Sequence, residues 1–338
     1  MHSSRIATTV LLSALVCGGC AELPAQRAVP GDEPYTRRDG SGAPSTFQVS
    51  TARPHLALVL SAGSMRGFAH LGVLKVLEEA GIRPDLVVGT SAGSIVGGLY
   101  ASGMPVDALI EASRAVDFDL GSSWLRANLG LGRSPVYDFV SGHVRDTRIE
   151  RFPIPFAAVA ADLQRGCMRV FNGGSSAVAI QASTAVPGIF APTHIAGHDY
   201  VDGGLVSPLP VRVAHALGAE RVIAVNVVFD PSESRLKTTI DRLFQTALVM
   251  TRTLAAEEAR HADLVIEPQL PPEAEVTLAN RDALIAAGER AARAALPQLR
   301  ALLQSAGARP VSLGETRRDP RWCDPIGPMQ TAAVTRAG

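Results

Sequence analysis

Net charge is absent from this 338-residue sequence, in which 32 Lys and Arg residues balance 32 Asp and Glu residues. Without a basic excess there is no electrostatic case for a nucleic-acid partner, because phosphate binding is driven by clustered positive charge. Aromatic residues are scarce at 5%. Ala, Gly and Val together make up about a third of the chain, a composition suited to close helix–sheet packing in an α/β protein. Cysteine is limited to four positions. Cys167 and Cys323 have no second ligand at metal-site spacing, so no metal centre is expected. Internal repeats are missing as well. With 46% hydrophobic and 19% charged residues, the composition is that of a globular chain and not of a disordered one.

Long apolar runs are also lacking. Ile6 to Val16, 11 residues behind Arg5, is the run nearest the N-terminus, and a membrane-spanning helix needs about 20. A short basic region, a short apolar region and the small residues of Cys17-Gly18-Gly19-Cys20 describe a secretory signal over residues 1–20. Its Gly-Gly-Cys ending resembles a bacterial lipobox, which implies lipidation of Cys20 and attachment to an envelope membrane from the periplasmic side. Cys17 stands where leucine is usual there, so plain cleavage is the alternative. Residues 21–54 are rich in Pro, Gly, Ser and Thr without apolar periodicity. They are read as a flexible linker with a root-mean-square reach of roughly 30 Å. A folded domain is expected over 55–306 and an irregular tail over 307–338. In an oxidising compartment Cys167 and Cys323 either form a bridge or remain two thiols, and spacing does not choose between them.

From His55 the pattern changes. Leu56–Leu60 is a continuous apolar run of the kind buried strands show, and residues 67–80 follow as a helix with Phe68, Leu71, Leu74 and Leu77 at every third position. A second strand is expected over 86–88 and a second helix over 91–102. Further strands are expected near 156–161, 168–171, 221–228 and 264–266, and helices near 175–184, 210–217, 238–260 and 282–303. Strands alternating with helices at this spacing argue for a mainly parallel sheet covered on both faces.

Three short segments carry chemistry. Gly89-Thr90-Ser91-Ala92-Gly93 has the form G-x-S-x-G between a strand and a helix, the setting of a nucleophile elbow. There a serine occupies a strained turn and offers its hydroxyl at a helix N-terminus. Ser61-Ala62-Gly63-Ser64-Met65-Arg66-Gly67 joins the first strand to the first helix. Small residues there leave main-chain N–H groups free to face a developing oxyanion. Ala62 and Ser64 occupy the first two glycine positions of a dinucleotide fingerprint, so that cofactor is not expected. Asp202 precedes Gly203 and Gly204, where an aspartate either caps a turn or meets the elbow serine.

Taken in order, these segments resemble the patatin-like phospholipase family. So does Ala182-Ser183-Thr184-Ala185-Val186-Pro187-Gly188-Ile189-Phe190, and the similarity covers roughly residues 55–230. The resemblance implies a three-layer α/β/α fold and a Ser–Asp dyad working without histidine or cofactor on membrane lipid. Ser91 would be the nucleophile and Asp202 the general base. Main-chain groups at Gly63, Ser64, Met65 and Arg66 would form the oxyanion hole, with Arg66 bracing the loop. Gly67, Gly89, Gly93, Gly203 and Gly204 would support the motifs. The departure is Ala62 and Ser64 where that family has glycines. Two other readings stand beside this one: an inactive lipid-binding envelope lipoprotein, and an α/β-hydrolase-type esterase with a Ser–Asp–His triad. His215 is the nominal histidine of that triad by chain order. It falls within an apolar helix, and His70 falls on the first helix, so both are expected to be structural. His194 and His198 flank a strand end. Residues 122–140, with Trp124, Leu125, Leu129, Leu131, Tyr137 and Phe139, are either a cover over an acyl groove or an ordinary connection.

Overall fold

The computed structural model describes residues 55–116, 134–144, 148–229, 238–270, 277–304 and 322–323. Residues 1–20 and 21–54, expected as leader and linker, most of the expected tail and all of 122–133 lie outside the described residues. At the centre runs β1 (Leu56–Leu60), paired in parallel with β2 (Leu86–Thr90) on one side and β7 (Arg221–Val225) on the other. Beyond β7 lies β8 (Leu264–Ile266), also parallel. Beyond β2 lies β3 (Phe156–Asp162), again parallel. Two antiparallel partners join β3: β4 (Cys167–Phe171) and β6 (His198–Asp202), and β5 (Thr193–Ile195) closes the far side. The sheet is therefore mixed, with a parallel centre.

Alternate residues of each strand face opposite sides of a sheet, and here both sides are buried. Leu56, Leu58 and Leu60 join Val87, Phe156 and Ala158 in one apolar cluster. Against it lie α1 (Phe68–Glu79), α2 (Ala92–Ala101), α3 (Val106–Arg114), α4 (Pro135–His143) and α5 (Ser176–Ser183). Ala57, Val59, Leu86 and Val88 face the other way, onto α6 (Val211–Ala216) and Ala255 of α7 (Thr239–Ala259). The result is the three-layer α/β/α fold.

The last helix, α8 (Arg281–Gln304), crosses α1 at two glycines. A Cβ on Gly72 would come 2.0 Å from the Ile285 carbonyl oxygen, and one on Gly288 1.9 Å from that of Ala69. Only hydrogen fits at either position, so the two backbones are in contact.

Several elements differ from the sequence expectation. The first helix begins as a 3-10 turn over Ser64–Gly67 before α1. β2 runs on to Thr90, directly into the elbow. Asp202, expected in a loop, is the last residue of β6. Trp322 and Cys323, expected in an unpatterned tail, are buried beside β4: Trp322 bridges to Met168 and packs into the second cluster, and Cys323 forms a disulfide with Cys167.

Candidate active site

One edge of β3 explains how the site is assembled. β4 pairs along residues 158–162 of β3, so β2 and β6 must share the opposite edge. β2 runs parallel to β3 and ends with Thr90 opposite Val159. β6 runs antiparallel and ends with Asp202 opposite Ala160. Two strands thus approach end to end along one edge, and their next-door termini deliver Ser91 and Asp202 to the same place. Glycine makes the approach possible. A Cβ on Gly203 would lie 2.1 Å from the Val159 carbonyl oxygen, and one on Gly93 2.2 Å from that of Leu60. Gly89, in β2, backs onto the Gly93 carbonyl in the same manner.

Ser91 adopts φ 53°, ψ −123°, a region that L-residues occupy only when their surroundings hold them there. Its N–H donates to Ser183 Oγ at 2.9 Å, and that hydroxyl donates onward to the Val159 carbonyl at 2.6 Å. Its carbonyl accepts from Ser94 N–H at 2.8 Å, opening α2. With both main-chain groups tied, the side chain can only point out of the turn. Its Oγ donates to Asp202 Oδ2 at 2.6 Å, the short contact of a charge-assisted bond.

Asp202 is buried, and its other oxygen, Oδ1, accepts from Gly204 N–H at 2.7 Å. Burial lifts its carboxyl to about 6, against the lowering effect of the bonds from Ser91 and Gly204. A carboxylate so placed is more basic than an ordinary aspartate and still ionised at neutral pH, which suits proton abstraction from the hydroxyl it touches. The loop behind it is fixed at several points. Thr90 Oγ1 donates to the Ser207 carbonyl at 2.8 Å, and Glu258 accepts from Arg212 N–H at 3.0 Å.

The Ser61–Gly67 turn lies alongside. Ala62 N–H donates to the Pro208 carbonyl at 2.8 Å, and Val227 N–H donates to Ser61 Oγ at 2.9 Å. Gly67 packs against Ala92 at the start of α2. Gly63 leaves no room for a side chain, since a Cβ would lie 2.7 Å from Val227 Cγ2. Ser64 takes φ 52°, a left-handed backbone in which glycine would be unstrained. Among the described residues the N–H groups of Gly63, Ser64 and Met65 have no hydrogen-bond partner, so all three remain available as donors. Arg66 differs: its N–H is taken by the Gly63 carbonyl at 3.0 Å. Its buried guanidinium lies 4.5 Å from the centre of the Phe229 ring. That side chain braces the turn, and its main chain is not a free donor.

The histidines are engaged elsewhere. His70 is buried and donates from Nε2 to the Ser61 carbonyl at 3.0 Å. Burial drops it to about 4, the bond to Ser61 working weakly the other way, so it stays neutral under the turn. His215 pairs through Nε2 with the His261 carbonyl at 2.8 Å. His194 meets Asp199 and His198 meets Asp162. No described histidine stands between Ser91 and Asp202, whose side chains touch directly, and a Ser–Asp–His triad therefore lacks its middle member. Among the described residues no cluster of His, Cys, Asp and Glu is suited to a metal. Ser183 escaped the sequence reading: its hydroxyl holds the elbow, but a serine in an Ala-rich helix carries no mark of that role.

Residues 58–215 match the patatin-like phospholipase family. An uncharacterized NTE family protein of Mycobacterium tuberculosis is 32% identical over 298 residues, 80% of this chain and 51% of that one. The lysophospholipase NTE1 of Mycosarcoma maydis is 36% identical over 182 residues, 51% of this chain and 10% of that one. Among solved structures, VipD from Legionella pneumophila aligns over 72% of this chain and 67% of that chain at 14% identity, with a TM-score of 0.40. The chain thus spans about half the length of the mycobacterial relative and a tenth of the fungal one.

Proposed function

We propose, from the match of residues 58–215 to the patatin-like phospholipase family, that the chain is a serine acyl hydrolase cleaving fatty-acyl esters of phospholipids or lysophospholipids. The observation that carries this reading is the 2.6 Å bond from Ser91 Oγ to a buried, unusually basic Asp202. Ser91 Oγ attacks the acyl carbonyl carbon as Asp202 takes its proton. Gly63, Ser64 and Met65 N–H groups hold the oxyanion, and the tetrahedral intermediate collapses with transfer of that proton to the departing alcohol. A water molecule then gives its proton to Asp202 while attacking the acyl-enzyme; the second tetrahedral intermediate collapses as Asp202 returns that proton to Ser91 Oγ, and the free acid leaves. These steps use no metal and no organic cofactor. The lysophospholipase activity named for the fungal relative supports the substrate class.

The test is turnover of a panel of p-nitrophenyl esters and lysophospholipids by the full chain, followed across pH. Only ionised Asp202 can accept the proton, so kcat/KM should rise with pH along a one-proton limb centred near 6 and level off above it. His70 does not blur that limb, being neutral down to about 4. A flat profile across about one pH unit either side of that midpoint would contradict the assigned base. Absence of turnover on the whole panel, together with no labelling by a fluorophosphonate serine probe, would leave the protein a lipid-binding lipoprotein.

Envelope anchoring through Cys20 belongs to the same proposal and rests on the residues of the leader. The Cys167–Cys323 disulfide supports an oxidising compartment. A palmitate analogue should label the wild-type chain and not Cys20→Ala, and equal labelling of the two would remove the anchor.

A further inference from the structure

Helix α7 carries two stripes side by side, a mixed inner one that the fold uses and an apolar outer one that it leaves partly uncovered. On the inner stripe Ala255 and Glu258 are buried, and Thr251 Oγ1 donates to the Gly204 carbonyl at 3.3 Å. On the outer stripe Leu243, Ala247, Met250 and Leu254 recur at i, i+4, i+7 and i+11, the spacing of one continuous helical face. Two of its residues stand open, Leu243 at 68% and Met250 at 59% exposed, and Ala247 and Leu254 between and beyond them are half-buried. Six large apolar residues are exposed among the described residues, and four of them (Leu243, Phe244, Val249 and Met250) lie on α7. Leu205, a fifth, sits on the turn that Thr251 touches. An apolar concentration of this kind calls for an occupant.

Its position names one. The Thr251 contact joins α7 to Gly204, two residues beyond Asp202. Phe244 reaches the segment on the other side of Asp202, where a Cβ on Gly188 would be 3.5 Å from its ring, and Asp202 N–H donates to Ala185 of that segment at 3.0 Å. Helix α7 therefore borders the candidate site through both of the segments that hold its carboxylate, and the outer stripe lies next to the face that makes these contacts. No described helix is long and apolar enough to cross a membrane, which leaves a helix lying on an interface and not through it. The charges permit this, residues 239–254 holding Arg242 and Arg252 against Asp241 alone.

We propose that the outer stripe of α7, with Leu205, is the surface by which this protein lands on a lipid layer, presenting the Ser91–Asp202 site to ester bonds at the layer's plane. The inference deepens the acyl-hydrolase reading and rests on it, because an esterified lipid resides in such a layer.

The test uses the full chain carrying Cys20→Ala, so that no acyl anchor at that position supplies the binding. Flotation with phosphatidylcholine vesicles containing phosphatidylglycerol measures partition, and a short-chain p-nitrophenyl ester measures soluble turnover. In the double variant Leu243→Glu/Met250→Glu the partition coefficient should fall about 100-fold, roughly tenfold for each apolar side chain withdrawn from lipid. Soluble-ester turnover and melting temperature should not move. Hydrolysis of vesicle-borne lysophospholipid should fall with partition. Unchanged flotation overturns the proposal. So does a parent dimer that the double variant dissolves without affecting flotation, which would make the stripe a contact between copies. A large drop in melting temperature with flotation preserved also overturns it, since the chain itself would then be covering the stripe. Soluble turnover missing from parent and variant alike defeats the hydrolase reading instead, and the flotation result is judged separately.

Discussion

Ser91→Ala and Asp202→Asn are each expected to lower kcat/KM for an acyl ester by about 10⁴-fold or more, and the double variant should be no worse than either. The two side chains meet at 2.6 Å and have no described third partner that could relay a proton. Alanine removes the attacking oxygen. Asparagine keeps the shape of the carboxylate and loses its basicity, so the hydroxyl has nowhere to send its proton. Neither change should unfold the protein. Asp202 is uncomfortable as an anion in its buried position, as its upward displacement to about 6 records. A neutral amide that still accepts from Gly204 relieves that cost. Melting temperatures at or above wild type, measured alongside turnover, separate lost chemistry from lost structure. His215→Ala supplies the contrast, since that ring bonds only to the His261 carbonyl among its described contacts. A folded His215→Ala protein with a loss of activity comparable to that of Ser91→Ala would restore the triad, and full activity in Asp202→Asn would take the aspartate out of the mechanism.

The disulfide carries the second large effect. Cys167 and Cys323 are separated by 156 positions, and a cross-link closing so long a loop restricts the unfolded chain by roughly 5 kcal/mol on an entropic estimate, with measured values commonly nearer 2–4. Cys323→Ser should therefore lower the unfolding free energy by about 2–5 kcal/mol, read from urea melts. The parent should fall to the same midpoint when a reductant is added, and the variant should not respond. Activity under folding conditions should survive, because β4 pairs with the edge of β3 opposite the one that β2 and β6 share. Two titratable thiols in the oxidised native parent would refute the cross-link.

The parts of this fold visible in the sequence are those where one physical signal dominates. Leu56–Leu60 and Arg221–Val225 are buried on both faces, and such strands read as unbroken apolar runs. The elbow is visible because a serine between glycines after a strand has few other uses. β6 is less visible: His198-Asp199-Tyr200-Val201-Asp202 lacks a clean alternation, and nothing local tells that it meets β2 along one edge of β3. The pairing of Ser91 with Asp202 is a product of that shared edge, and sequence order alone supplies the two residues without their meeting. The disulfide partners are individually plain, yet their union goes with Trp322 docking beside Met168, a contact between two segments far apart in the chain. The outer stripe of α7 shows the opposite case. Its periodicity looks like a buried face, and only the structure reveals that nothing described covers Leu243 and Met250.

The crossing of α8 over α1 has a consequence for the order of events in synthesis. α1 is among the first helices to leave the ribosome and α8 the last, yet Gly72 and Gly288 let their backbones touch. Contacts between chain segments so remote form late, after the loop between them has been closed. Until residues 281–304 emerge, the groove of α1 that receives Gly288 stays bare, and β1 in the middle of the sheet awaits β7 from the distal half of the chain. The nascent protein accordingly has no complete core to fall into while it is being made. Under the proposed export, that delay is an asset: what emerges first remains threadable until what emerges last arrives to seal it.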